Sequence, residues 1–187
     1  MAQGNAIGII ELCSLYKGYE VQDQVLKSEF VEKLLARSIC SGKYLILVRG
    51  RVADVESALD NAREIGDFAI VSTLVIPNVD ERIFSAIVGS TLLEDNKDVS
   101  GLAVVETYSV AAAIKAADYA LKEAEVNILR IHVAMAIGGK GLLVLTGDIE
   151  PLRSALNPVL EFIENEGTLA GHTLITNPHE DVLKDLV

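Results

Sequence analysis

Tryptophan is missing from this chain, and aromatic residues of any kind are few, with five tyrosines and four phenylalanines in 187 residues. A core built from such a sequence has to be aliphatic. The material is there, because AVILMFWYC residues make up 50% of the chain. That content excludes intrinsic disorder, since disordered chains are poor in these residues. Basic residues are also short, with 16 Lys and Arg against 27 Asp and Glu, a net charge of −11. A surface this acidic repels phosphate backbones, and no Lys/Arg cluster offers a patch for nucleic acid. An anionic membrane surface is disfavoured for the same reason. No apolar run reaches the roughly 18–20 residues that a bilayer span requires. The opening stretch MAQGNAIGIIE lacks a basic n-region and meets Glu11 early, so it does not read as a secretory signal, and a cytosolic protein is expected. Two cysteines, Cys13 and Cys40, do not make a disulfide framework and fit a reducing compartment. The catalytic motifs G-x-S-x-G, H-E-x-x-H, the P-loop and CxxC are all absent from the sequence. The three histidines, His132, His172 and His179, are scattered, and His132 in its apolar strand run reads as a core or interface residue. No enzyme is expected.

What the chain does contain is its own sequence twice. AIGIIELCSL at 6–15 matches GLAVVETYSV at 101–110 with an offset of 95. At that offset Glu11 meets Glu106, Ser14 meets Ser109, Asp23 meets Asp118, and Leu26-Lys27 meets Leu121-Lys122. After residue 40 the offset becomes 97, pairing Gly42-Lys43 with Gly139-Lys140 and Gly50 with Gly147. Near the end it is 99, pairing Ile76 with Ile175 and Asn78 with Asn177. The first change falls in one short loop, where Ser41 alone separates Cys40 from Gly42, while Ala136, Ile137 and Gly138 separate Met135 from Gly139. Two copies are too few for a solenoid. A duplicated globular domain follows, with the first at 1–90, a polar and acidic linker at 91–100 and the second at 101–187.

Each half reads in the same order. A short Ile/Val/Leu-rich strand (6–10; 102–105) precedes a helix, for which Ser109 is a candidate N-cap in the second half and which Gly18 weakens in the first. Strands at 31–39 and 126–134 lead through glycine-containing turns to strands at 44–48 and 142–145. Helices follow, with apolar residues at Val52, Val55, Leu59, Ala62 and Ile65 and at Ile149, Leu152, Leu156, Val159 and Ile163. Pro151 fits a first turn, whereas Pro158 is expected to kink its helix. A last strand closes each half. The fold class is α+β, with two tandem ferredoxin-like β-α-β-β-α-β domains, each an antiparallel sheet with helices on one face. That fold hosts many functions and decides none.

Few residues invite chemistry. Glu11 and Glu106 are repeat-related strand-end carboxylates, better read as salt-bridge partners than as an acid–base pair. Gly138-Gly139 follows a strand but leads into another strand, so the helix N-terminus needed for anion binding is missing, and a turn lining an opening is the better reading. Cys40 lies in RSICSGKY at a strand end, where its repeat mate is Met135. Two readings stay open from the residues alone. A small strand-end cysteine often just packs. Alternatively, three copies around a threefold axis would supply three thiolates, close to the four-cysteine shell of a [4Fe–4S] cluster.

The paired starts AIGIIE and GLAVVE, the Asp23/Lys27 and Asp118/Lys122 helix ends, and the stretches SICSGKY, ETYSVAAAIKAAD, RIHVAMAIGGKG and NPHE resemble bacterial microcompartment (BMC) shell domains of the tandem, non-permuted type found in propanediol-utilisation compartments. The resemblance covers nearly the whole chain. It implies a homotrimer forming a pseudo-hexagonal tile in a protein shell within the bacterial cytoplasm, tiled with other shell proteins and next to an encapsulated redox enzyme. It implies a central [4Fe–4S] cluster shared by three chains, with Cys40 as each chain's ligand. Ser38, Ser41, Gly42, Ala136, Ile137, Gly138 and Gly139 would line the opening, and Lys27 and Lys122 would sit at the tile edge. The edge arginine of the family's Pro-Arg-Pro-His stretch is missing, since the positions read Pro77-Asn78-Val79-Asp80 and Thr176-Asn177-Pro178-His179. The expected function is electron transfer or redox sensing across the shell. The rivals are a tile without a cluster whose opening passes a small metabolite, and a metabolite-sensing regulator built on the same repeats.

Overall fold

A computed structural model of the chain describes residues 4–28, 30–89, 99–133, 138–184 and 186. The backbone separates into two compact units, 1–81 and 82–187. The first unit runs β1 (Ala6–Leu12), α1 (Leu15–Ser28), β2 (Glu32–Ile39), a one-turn 3-10 helix (Cys40–Gly42), β3 (Lys43–Gly50), α2 (Val52–Gly66), a second 3-10 turn (Asp67–Ala69) and β4 (Ile70–Ile76). Helix α3 (Glu81–Val88) begins at its end and continues into the second unit. There follow β5 (Gly101–Thr107), α4 (Val110–Glu123), β6 (Asn127–Val133), β7 (Gly141–Gly147), α5 (Ile149–Asn165), β8 (Leu169–Thr176) and the short α6 (Glu180–Lys184). Each unit therefore has the β-α-β-β-α-β order, with one more short helix after it. The sequence offsets map onto elements: 95 carries β1 to β5 and α1 to α4, 97 carries α2 to α5, and 99 carries β4 to β8.

The sheets have the orders β2-β3-β1-β4 and β6-β7-β5-β8, with every pair antiparallel. Even the irregularities repeat. The register shifts at Glu11/Leu12 and again at Glu106/Thr107, and at Lys33/Leu35 and again at Ile128/Arg130. Beside the first pair of bulges, the Cys13 amide donates to the Ala69 carbonyl and the Tyr108 amide to the Thr168 carbonyl, both at 2.8 Å.

Strand alternation sorts the residues onto two faces. On the helix face of the first sheet, Ala6, Ile10 and Leu12 join Ile46 and Val48 beneath Val21 and Val25 of α1 and Val55, Ala58, Leu59 and Ala62 of α2. Glycine is needed where a helix comes closest, since a Cβ at Gly8 would lie 2.7 Å from Leu59 and 2.8 Å from Val55. In the second unit α5 buries Leu152, Ala155, Leu156, Val159 and Ile163. Pro151 lies in its first turn, and the helix runs unbroken through Pro158 to Asn165, although proline leaves the Ser154 carbonyl without its usual amide donor. The opposite face of this sheet carries Leu102, Leu129 and Val144, covered by Leu183 and Leu186 from α6 and the residues after it. The extra helix thus lies across the sheet from α4 and α5.

Candidate functional site

The Cys40 turn is built by the register of β2 on β3. Ser38 pairs with Tyr44 and Ile39 with Lys43, after which the chain reverses through Cys40–Gly42. Gly42 has φ +72, a left-handed conformation that glycine adopts without strain, and nothing lies within 4 Å of where its Cβ would be. Cys40 is half-buried in this turn, Ser38 is exposed beside it, and Ser41 is its middle residue. Neither Cys40 nor the exposed Cys13 forms a disulfide. In the second unit the same strand end is closed by Val133 opposite Gly141. Gly138 and Gly139 sit there with φ +67 and +83, again with open space around them. Ala136 and Ile137, with Met135 before them, lie outside the described residues. Ser38, Cys40, Ser41 and Gly42 are brought together at one strand end, and Gly138 and Gly139 occupy the corresponding end of the other sheet.

An ion pair fixes each of these ends. Lys43 Nζ lies 2.7 Å from Glu11 Oε1, and Lys140 Nζ lies 3.1 Å from Glu106 Oε1. The repeat-related glutamates therefore clamp neighbouring strands and are not an acid–base pair. Beneath the first turn, Tyr44 is buried, its hydroxyl 2.8 Å from Gln22 Oε1 and its ring 4.9 Å from that of Tyr19. Burial pushes the Tyr44 phenol above its ordinary value, and the neighbouring Tyr19 adds to the shift. Arg37, three residues before Cys40, has its guanidinium shifted down by burial.

The two candidate edge lysines are arranged alike. Lys27 reaches back to Asp23 and Lys122 to Asp118, each at 2.6 Å and each in the last turn of its helix, where the backbone dipole favours a cation. Asp23 is 53% exposed at its side chain and Asp118 only 12%. At the positions of the missing arginine, Asn78 and Asn177 both take left-handed backbones, φ +53 and +48. Asn78 accepts a hydrogen bond from the Asn5 amide at 3.3 Å.

Among the described residues no group of three or more His, Cys, Asp or Glu side chains could hold a metal ion. One chain therefore brings a single thiol at a half-buried turn, and a metal shell there needs thiols from further copies. The sequence reading missed the most telling asymmetry, which lies in the helices. Helix α4 buries residues on two sides, Ile114, Ala117, Asp118 and Leu121 as well as Ala113, Ala116 and Ala120. In α1 the residues matching the first four, Tyr19, Gln22, Asp23 and Leu26, are exposed or half-buried. The signal available was composition, since α4 reads VAAAIKAAD where α1 reads LYKGYEVQD.

Known proteins match this arrangement. The model of the BMC domain fits the chain twice, at residues 6–79 and 101–178. The chain belongs to the BMC-domain family. It is a structural shell protein of a bacterial microcompartment, not an enzyme. The shell protein PduT of Citrobacter freundii is 37% identical over 182 residues, covering 97% of both chains. The carboxysome assembly protein CcmO of Synechocystis is 28% identical over 95% of this chain and 63% of its own length. The crystal structure of a microcompartment protein from Desulfitobacterium hafniense superposes with a TM-score of 0.90 at 32% identity, covering 96% of this BMC chain and 98% of that one. A fused, permuted hexameric shell protein of the RMM microcompartment shares the fold at a TM-score of 0.59 and 20% identity, over 85% and 81% of the two chains.

Proposed function

We propose that this BMC protein is a homotrimeric, pseudo-hexagonal shell tile whose three Cys40 thiolates meet at the symmetry axis and hold a [4Fe–4S] cluster. The observation that carries the reading is the Cys40 turn, with one thiol per duplicated chain, half-buried at a strand end beside the open space of Gly42. Thiolates are the ligands such clusters take. Three from a closed ring leave one iron position for another donor. Gathering three thiolates also raises their pKa values by mutual repulsion, which metal binding relieves. A bound cluster would supply one-electron chemistry. The chain's own part is to hold the sulfur: β2 and β3 fix the turn, and the Glu11–Lys43 pair ties β3 to β1 beneath it. Electron transfer or redox sensing across the shell follows, with an enclosed redox enzyme as partner on one side.

Anaerobic purification of wild type and of Cys40→Ser tests the reading. Wild type is expected to be brown, with about four irons per three chains, and the variant colourless at the same oligomeric size. Equal iron in both, or none in either after reconstitution, overturns the cluster. A second reading, a metabolite pore without a cluster, is favoured by the open space around Gly42, Gly138 and Gly139. It predicts an iron-free trimer whose substrate passage changes when bulk is added at Gly42.

A further inference from the structure

The charged residues at the Cys40 end of the first sheet share one face. Arg37 pairs with Leu45, Ile39 with Lys43 and Glu11 with Leu45, and cross-strand partners in an antiparallel ladder point the same way. This face is turned away from α1 and α2, whose core takes the alternate residues Ile10, Ala36, Tyr44 and Ile46. Lys43 and Glu11 neutralise each other in their 2.7 Å ion pair. Arg37 brings a further cation to the same face.

The second repeat keeps the ion pair and changes the cation. Lys140 and Glu106 stand where Lys43 and Glu11 do, but at the offset of 95 the mate of Arg37 is His132, and the register agrees, because His132 pairs with Leu142 as Arg37 does with Leu45. The guanidinium and the thiol therefore occur in the same repeat, and His132 and Met135 in the other. Arg37 is half-buried, and burial lowers its pKa from the ordinary arginine value. A charge held partly out of water acts on its surroundings more strongly than one in bulk solvent. Three residues separate Arg37 from Cys40, so their Cα atoms lie within roughly 11 Å of each other.

We infer that Arg37 sets the reduction potential of the centre held by Cys40, its three copies ringing the symmetry axis with positive charge and favouring the reduced state. The inference rests on the cluster reading of the Cys40 turn. Arg37 is not a ligand and acts through the thiolate-bound centre at a distance. An electron arriving from a redox partner adds one negative charge to a site that three thiolates have already made anionic. The potential of such a centre follows the net charge and solvent exposure around it. Guanidiniums nearby stabilise the added charge, so the potential rises with them and falls when they are removed.

The test is an anaerobic redox titration of the full-length, iron-loaded protein, read by electron paramagnetic resonance. Arg37→Gln is expected to lower the ratio of reduced to oxidised centre about tenfold at a fixed poise, a shift of about 59 mV for one electron. Arg37→Lys keeps the charge and is expected to stay near wild type. Lys33→Gln, at the exposed far end of β2, is expected to change nothing. His132→Arg puts a cation at the matching place of the second repeat and is expected to raise the potential, which reads the same field even if Arg37→Gln fails to assemble. Equal potentials in wild type, Arg37→Gln and His132→Arg, or equal shifts in Arg37→Lys and Arg37→Gln, overturn the role of Arg37 and leave the cluster standing. Protein that takes up no iron on reconstitution overturns the cluster and this inference together.

Discussion

The two units solve one packing problem in opposite ways. Where the first helix of each unit crosses the third strand in its sheet, the first unit has Gly18 on the helix and Tyr44 on the strand. The second unit has Ala113 and Gly141 at those positions. A Cβ on Gly18 would lie 2.4 Å from the Tyr44 ring, and one on Gly141 would lie 2.6 Å from the Ala113 methyl. The helix approaches closely in both, and one glycine is enough, but which partner gives up its side chain has been exchanged. A fold is therefore specified by the pair, not by either position.

The exchange can be tested by copying one unit into the other. Tyr44→Gly alone removes the side chain of a residue that is only 2% exposed and empties its site, at a cost of roughly 3–5 kcal/mol in denaturant unfolding. Gly18→Ala forces a methyl against the ring and costs about 1–3 kcal/mol. The double variant, which has the second unit's arrangement, is expected to cost clearly less than the two singles together. Strict additivity would show that the two positions do not share one space. A smaller difference separates the helix-end aspartates. Asp118→Ala removes a mostly buried carboxylate and should lose about 1 kcal/mol, whereas Asp23→Ala, in an exposed pair, should stay within about 0.5 kcal/mol. Equal losses would erase the contrast between α1 and α4. The smallest effect is set by pH. The folded Tyr44 phenol titrates above the ordinary tyrosine value near 10. Its contribution is complete below that value and is lost as pH rises through the folded pKa. Tyr44→Phe should flatten the alkaline fall in stability. The second unit carries no phenol at that position, so a fall unchanged in Tyr44→Phe would place its origin elsewhere.

Most of the fold was legible because duplication doubles every signal. The offsets of 95, 97 and 99 set the element order, and their change between Cys40 and Lys43 located the turn that carries the candidate site. The ion pairs of Glu11 and Glu106 were also legible, since each carboxylate recurs opposite a recurring lysine. Gly18 was not. Local propensity reads a glycine in a first helical turn as a weakness, whereas its role is to admit Tyr44, which lies 26 residues away in sequence. The double burial of α4 was hidden for a similar reason, because small residues suit a crowded helix as well as an isolated one. The placing of Cys40 at a strand end followed from the strand and the glycine turn beside it, whereas Ser38, Ser41 and Gly42 were singled out by the family resemblance. What a single sequence does not contain is the neighbouring molecule, which is why the lysines expected at a tile edge, Lys27 and Lys122, are described here through their ion pairs with Asp23 and Asp118.

Cys40 stands opposite Met135 in the repeat, and that difference changes the arithmetic of any closed ring. In a ring made from single domains, every residue recurs once per domain, so a ligand can be added only to all positions or to none. Joining two domains in one polypeptide lets evolution write a ligand into alternate positions around the same circle. An inner rim can then carry an odd number of donors, a count that suits one inorganic centre and that six identical subunits have no means of producing.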